Sequence, residues 1–296
     1  MRRRRYTLDD TIAKPDVAPE PTRGLDGLTN EEIRGSRQGW WDECWTQFLL
    51  RWIPAETHRI IDVGCGLATA AHALLPCLGS AIYLGIDADE NRLREADKLL
   101  AGTPYANRVE LRRGRAEQLP CSECAADLVL SSMTLQHVAD VQAVLSEIKR
   151  VLCPGGRFVA VEPDNLSNQF YFDGALQEVN AAFRDLFTAQ RQARRPADTA
   201  IGPAVPWALE KAGFRVIDCR PYAVGRVSRV SASEFFERAK RVAAIVIASA
   251  NLPPVNLAHQ ECLVAVNRAL ATVGSETMGY GCQLVPVFVS VAEKNQ

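Results

Sequence analysis

Arg59-Ile-Ile-Asp-Val-Gly-Cys-Gly-Leu-Ala68 reads as a short buried strand that runs into a tight glycine turn. The chain beyond Ala68 repeats that grammar. The spacing predicts a helix from Ala68 to Leu78, a second strand from Ala81 to Ile86 and a second helix from Asn91 to Leu100. Arg108 to Arg112 and Ala126 to Ser131 supply two further strands. Val138, Val141, Val144, Leu145, Ile148 and Leu152 share one helical face, and Pro154-Gly155-Gly156 ends that helix before a fifth strand, Arg157 to Glu162. Phe214 to Cys219 and Leu284 to Val291 complete the set, although Pro286 weakens the last one as a central strand. Strands that alternate with helices call for crossover connections, so the expected fold is α/β, a doubly wound and mostly parallel seven-stranded sheet.

Composition narrows the class. The 296 residues are 47% apolar, with 34 basic against 35 acidic side chains and a net charge of -1. That balance gives no electrostatic reason to expect nucleic acid or an anionic membrane as partner. No apolar run approaches the roughly 20 residues of a spanning helix, so membrane insertion is not expected. Arg2 to Arg5 are followed by polar residues rather than an apolar stretch, so no secretory signal is read and the expected location is cytoplasmic. Nine cysteines in that setting read as reduced thiols. Cys121-Ser-Glu-Cys124 is a C-x-x-C without a second ligand pair, so no metal site is expected.

Residues 1–28 read as a mobile arm and 29–296 as a single domain. Within it, 29–57 form a helical cap, opened by a capping box at Thr29-Asn-Glu-Glu32. Trp41, Trp45, Phe48 and Trp52 recur at helical spacing there, which suits docking on the core, and Trp40 or Trp41 is placed to close over a flat ligand. Residues 58–164 form the ligand-binding core. Two insertions, 165–206 and 225–282, lie on the substrate side. The first carries an apolar helical stripe, Leu176, Val179, Phe183, Leu186 and Phe187, that ends in Arg191, Arg194 and Arg195. The second holds two helices broken at Pro253-Pro254, which would complete the pocket or make a homodimer contact.

The chemistry gathers where strand one turns into helix one. Gly64 and Gly66 let a ligand approach the backbone, and ligands of doubly wound sheets sit at the carboxyl ends of the strands. Asp87 ends strand two, placed to accept hydrogen bonds from ribose hydroxyls. A nicotinamide dinucleotide and an adenosyl ligand both suit this arrangement, but Thr69 stands where the dinucleotide fingerprint needs its third glycine.

Six motifs then come in order: Asp62-Val-Gly-Cys-Gly66, Gly85-Ile-Asp87, Gly114-Arg-Ala-Glu-Gln-Leu-Pro120, Asp127-Leu-Val-Leu-Ser131, His137-Val138 and Arg150-Val-Leu-Cys-Pro-Gly-Gly-Arg157. Together they resemble the class I S-adenosylmethionine-dependent methyltransferases, above all the ubiquinone/menaquinone-type small-molecule branch. The resemblance implies a Rossmann-like methyltransferase fold with helical lid insertions, S-adenosyl-L-methionine as cofactor and S-adenosyl-L-homocysteine as product. It implies that Gly64, Cys65 and Gly66 lie against the methionine portion and that Asp62 and the backbone of Ser131 receive the amino group. It also implies Asp87 on the ribose, Ala88 against adenine and the Ala116 N–H toward the ring. Ala68 replaces a common glycine, and Arg115 replaces the usual acceptor for the adenine amino group, leaving Glu117 or a carbonyl to substitute.

In-line transfer from a sulfonium needs positioning and dryness more than covalent machinery. His137 and Glu162 are the candidate bases should the acceptor arrive protonated. The expected function is methyl transfer to a small organic acceptor. A nicotinamide-type oxidoreductase and an adenosyl-binding module without turnover are the alternatives.

Overall fold

The computed structural model describes residues 29–31 and 43–295. The expected arm at 1–28, Glu32 of the capping box and both Trp40 and Trp41 lie outside the described residues. Helix α1 (Glu43–Leu50) buries Trp45 and Leu49, and the Trp45 ring meets Phe48 at 5.4 Å and Tyr222 at 6.0 Å. The aromatic spacing therefore does what a docking face does.

Strand β1 (Arg59–Val63) lies between β2 (Ile82–Asp87) and β4 (Ala126–Ser132), parallel to both, and four of its five residues are buried. Such burial on both faces explains its unbroken Ile-Ile-Asp-Val run. Helix α2 (Thr69–Leu74), helix α3 (Glu90–Leu100), strand β3 (Val109–Arg113) and helix α4 (Val141–Val151) keep to the predicted alternation. Asp89 and Asp140 cap α3 and α4, their carboxylates accepting the backbone N–H of Asn91 and Ala143. The buried face of α4 is Val144, Leu145, Ile148 and Val151, the first three on the predicted stripe, whose ends Val138 and Leu152 fall outside the helix.

Strand β5 (Leu152–Pro163) runs parallel to β4, and β9 (Met278–Glu293) lies antiparallel against β5. Strand β7 (Arg215–Val224) pairs with the far edge of β9. The main sheet therefore reads β3-β2-β1-β4-β5-β9-β7, mostly parallel, with β9 the antiparallel member.

The predicted last strand is only part of a longer one. Its first half, from Met278 to Leu284, lies between β6 (Gln169–Phe172) and β8 (Ser228–Ser231), both antiparallel to it. Pro286 sits at the seam, where pairing with β6 has ended at Leu284 and pairing with β5 begins at Val287. There its carbonyl still accepts the Asp164 N–H at 2.9 Å. A residue without an N–H costs least where the partner strand changes.

Helices α5 (Gln177–Ala193), α7 (Ala232–Ser249) and α8 (Pro253–Val273) cover this small sheet, while α6 (Val205–Lys211) precedes β7 in the main one. The three covering helices share a core of Phe170, Phe183, Phe187, Phe236, Val246 and Cys262, distinct from the two cores flanking the main sheet. The two predicted insertions thus fold as one unit. Gly281 makes room in it, since a Cβ there would lie 2.4 Å from Phe235 Cδ2.

The expectation of reduced thiols is corrected at one pair. Cys124 is bonded to Cys153, with Cα atoms 4.0 Å apart. Parallel pairing of β4 with β5, which sets Ala126 opposite Leu152, brings the two together. The C-x-x-C neighbour Cys121 keeps a free thiol.

Candidate functional site

The glycine turn folds back over the end of β2. Gly64 and Cys65 both donate their N–H to the Ile86 carbonyl, at 2.7 and 3.1 Å, and Gly66 donates to Asp87 Oδ2 at 2.8 Å. Gly64 has φ 72, and a Cβ there would fall 2.2 Å from Thr134 Oγ1, so the turn is closed against the loop after β4. Gly66 has φ 54, yet a Cβ would meet nothing within 4 Å. One glycine is required by the protein's own packing; the other leaves open space on the ligand side. Ala68 also holds a left-handed conformation, φ 54 and ψ 37, and is fully buried. Its small side chain occupies the expected glycine position at the strain typical of a non-glycine residue.

Asp87 is 8% exposed and uses both oxygens, Oδ2 for Gly66 and Oδ1 for the Asp89 N–H at 2.8 Å. Each oxygen keeps a further lone pair for a hydroxyl donor. Burial pushes this carboxyl above its ordinary value, against the pull of the two N–H donors. Asp62, 3% exposed, accepts a hydrogen bond from the Tyr83 hydroxyl beneath the turn. The Cys65 thiol is buried between them, and burial followed by Asp62 and Asp87 pushes it well above the usual thiol range, so it is no nucleophile.

At the carboxyl end of β4, Ser131 sits opposite Val63 and its buried Oγ has no hydrogen-bond partner. A buried hydroxyl left unpaired beside an open backbone turn fits a polar ligand end. Ala88 and Ala116 are half-buried at the same sheet edge. Arg115 is not packed into it: its side chain is 73% exposed and lies 3.4 Å from Glu117 Oε1. The substitution removes an acceptor without bringing a buried cation. The turn, the Asp87 carboxylate and the unpaired Ser131 hydroxyl together suit an adenosyl-amino-acid ligand.

The two candidate bases part company. Glu162 is fully buried, and its carboxylate accepts the backbone N–H of Thr134 and Leu135 on Oε1, at 2.9 and 2.8 Å, and of Gln136 on Oε2 at 3.3 Å. It anchors the loop after β4 from below. His137 ends the single helical turn Leu135–His137, and Arg194 Nη2 lies 3.2 Å from its Nδ1. Arg194 comes directly after α5, so this contact ties the small helical unit to the β4 loop. Asn165 adds a second tie, reaching Gln136 Oε1 at 3.3 Å and the Thr199 carbonyl at 2.7 Å. Arg191 instead pairs with Asp198 through two contacts of 2.6 Å.

Tyr83 and Thr134 escaped the sequence reading. Tyr83 looked like one more apolar strand residue, and Thr134 meets Gly64 across 70 residues. A phenol between Ile82 and Leu84, two residues before the glycine that pairs with Asp62, was the available signal.

A methyltransferase domain family matches residues 61–160. A demethylmenaquinone methyltransferase of Lactiplantibacillus plantarum is 31% identical over 189 residues, covering 62% of this chain and 74% of the relative. Another, of Symbiobacterium thermophilum, is 32% identical over 140 residues, covering 45% and 53%. The chain spans about half the length of several curated relatives that it matches. A Haemonchus contortus phosphoethanolamine N-methyltransferase structure shares the fold at a TM-score of 0.52 and 18% identity, covering 91% of this chain and 59% of that one. With a parallel sheet, a glycine turn on its first strand and an acid closing its second, the chain belongs to the class I S-adenosylmethionine-dependent methyltransferases. Within them it falls in the ubiquinone/menaquinone-type branch. Among the described residues, no helix is long and apolar enough to cross a membrane.

Proposed function

We propose that this protein transfers the methyl group of S-adenosylmethionine to a small organic acceptor bound between the glycine turn and the helical unit above it. The observation that carries this reading is the open face of Gly66, which lies beside an Asp87 that is already tied to the turn. When bound, the cofactor supplies a sulfonium-activated methyl group and its own leaving group.

The chain's residues do the rest. Gly64, Cys65 and Gly66 lie along the methionine portion, and Asp62 and the Ser131 backbone receive its amino group. Asp87 accepts from the ribose hydroxyls, while Ala88, Ala116 and Glu117 border the adenine. The unit of α5, α7 and α8 covers the cleft and excludes water, which raises the effective concentration of the acceptor along the transfer axis.

His137 stands nearest the acceptor side. Arginine is donor-only, so a bond from Arg194 to Nδ1 puts the neutral ring's proton on Nε2. In that tautomer His137 presents a donor to an acceptor oxygen and does not act as a base. Glu162 acts through the loop it anchors.

Calorimetric titration with S-adenosylhomocysteine, and with NAD in parallel, tests the reading. The expected result is micromolar binding of the first, about 8 kcal/mol, none of the second, and methyl transfer when small phenolic, amine and thiol acceptors are then supplied with S-adenosylmethionine. NAD binding alone would overturn it, and S-adenosylhomocysteine binding without transfer to any acceptor would leave an adenosyl-binding module.

A further inference from the structure

Tyr83 places a phenol within the floor of the site, and its position is specific. It sits on β2 opposite Ile60, two residues before the register pair Asp62 and Gly85, and is 2% exposed. Its hydroxyl donates to Asp62 Oδ2. Gly85 keeps the ring in place: a Cβ there would lie 3.1 Å from Tyr83 Cε1 and 2.8 Å from Cys65 Sγ. The ring therefore packs edge-on against bare backbone, with little freedom to swing away. Burial, then the charge of Asp62, hold the phenol protonated, so it can only donate toward the carboxylate.

A carboxylate buried to this degree takes whatever orientation its donors impose. We propose that Tyr83 is a positioning residue for the amino-acid end of S-adenosylmethionine, holding the Asp62 carboxylate in its ligand-receiving orientation beneath the glycine turn before the cofactor arrives. This rests on the methyltransferase reading. It assigns to a strand-interior tyrosine a share of cofactor recognition that no glycine-loop or ribose contact provides, and it confines that share to one end of the ligand.

That confinement is what an experiment can read. S-adenosylhomocysteine and 5′-methylthioadenosine share the adenosine and the sulfur, but only the first carries the amino acid. Titrating both ligands into the unsubstituted protein and into Tyr83→Phe separates the two ends. The expected result is about a tenfold loss of affinity for S-adenosylhomocysteine, with 5′-methylthioadenosine held within about twofold. Equal losses for both ligands would make Tyr83 a packing residue and overturn the proposal, as would no loss for either. If the unsubstituted protein binds no S-adenosylhomocysteine, the methyltransferase reading falls and takes the proposal with it.

Should Tyr83→Phe fail to fold, 3-fluorotyrosine placed at position 83 carries the same test in the native ring. Its fluorine resonance should move with S-adenosylhomocysteine and stay with 5′-methylthioadenosine. Equal movement, or none, overturns the assignment.

Discussion

Replacing Gly64 with alanine puts a methyl carbon where the protein already has atoms. The new Cβ would lie 2.2 Å from Thr134 Oγ1, 2.5 Å from its Cγ2 and 2.9 Å from its Cβ. Two costs add. Left-handed backbone at φ 72 costs a non-glycine residue about 1–2 kcal/mol. Overpacking of this kind costs about 1–3 kcal/mol. The smaller entropy of the unfolded alanine chain returns about 0.4–1 kcal/mol. The expected net loss is about 1–5 kcal/mol, read as a drop in urea midpoint at constant slope.

Thr134→Ala cannot rescue it fully, because the Thr134 Cβ itself stands at 2.9 Å. Only Thr134→Gly in the Gly64→Ala background should recover the overpacking share and leave the backbone share. Gly66→Ala is the control. Its Cβ meets nothing within 4 Å, so stability should fall by about 1 kcal/mol while S-adenosylhomocysteine binding is lost to the ligand's own collision with the methyl. A Gly64→Ala protein as stable as the parent, or a Gly66→Ala protein less stable than Gly64→Ala, would refute the assignment of one glycine to packing and the other to ligand.

Two further outcomes are expected. Glu162→Gln turns one acceptor oxygen into a donor that faces backbone N–H groups, and thermal melts should show a loss of about 2–4 kcal/mol; the pH–rate profile should keep its shape, whereas loss of an acidic limb would restore Glu162 as a base. Asp87 has a folded carboxyl raised above its unfolded value, so its contribution to stability is fully present below the ordinary carboxylate range and falls as pH rises through the folded value. Ribose binding needs the ionised form, so S-adenosylhomocysteine affinity should weaken as pH falls toward that raised value. Asp87→Asn should bind more weakly and lose the pH dependence, which parallel titrations from neutral to mildly acid pH would check.

The parallel half of the fold was readable because its signals are local. The Ile60–Val63 run, the glycine turn and the one-sided face of α4 each declare themselves within a dozen residues, and β1 and α4 emerged close to their predicted bounds. Long-range partners are another matter. Nothing near Glu162 in sequence announces its role as a loop anchor, because its three N–H donors lie 26 to 28 residues away on a different strand's loop. Cys124 looked like half of a C-x-x-C because its true partner, 29 residues on, meets it only through strand pairing. The small sheet was missed for a different reason. Strands β6 and β8 have four residues each, too few for a period, and the first half of β9 spends alternate positions on Gly279 and Gly281. Those glycines give up side chains so that Phe172 and Phe235 can lie on the backbone.

Strand β9 makes a mechanical statement of its own. The main sheet and the helical cover of the small sheet are not joined by a flexible strap; they are carried on one sixteen-residue beam, gripped on both edges at each end. A cover mounted this way cannot swing like a flap, because rotation at its root would tear ladders on both sides at once. It can twist about the beam, and the beam's softest joint is Pro286, where one rung has no donor to give. Away from the beam, the cover rests on His137 through Arg194. Any force felt by the cover is passed straight down the strand into the floor.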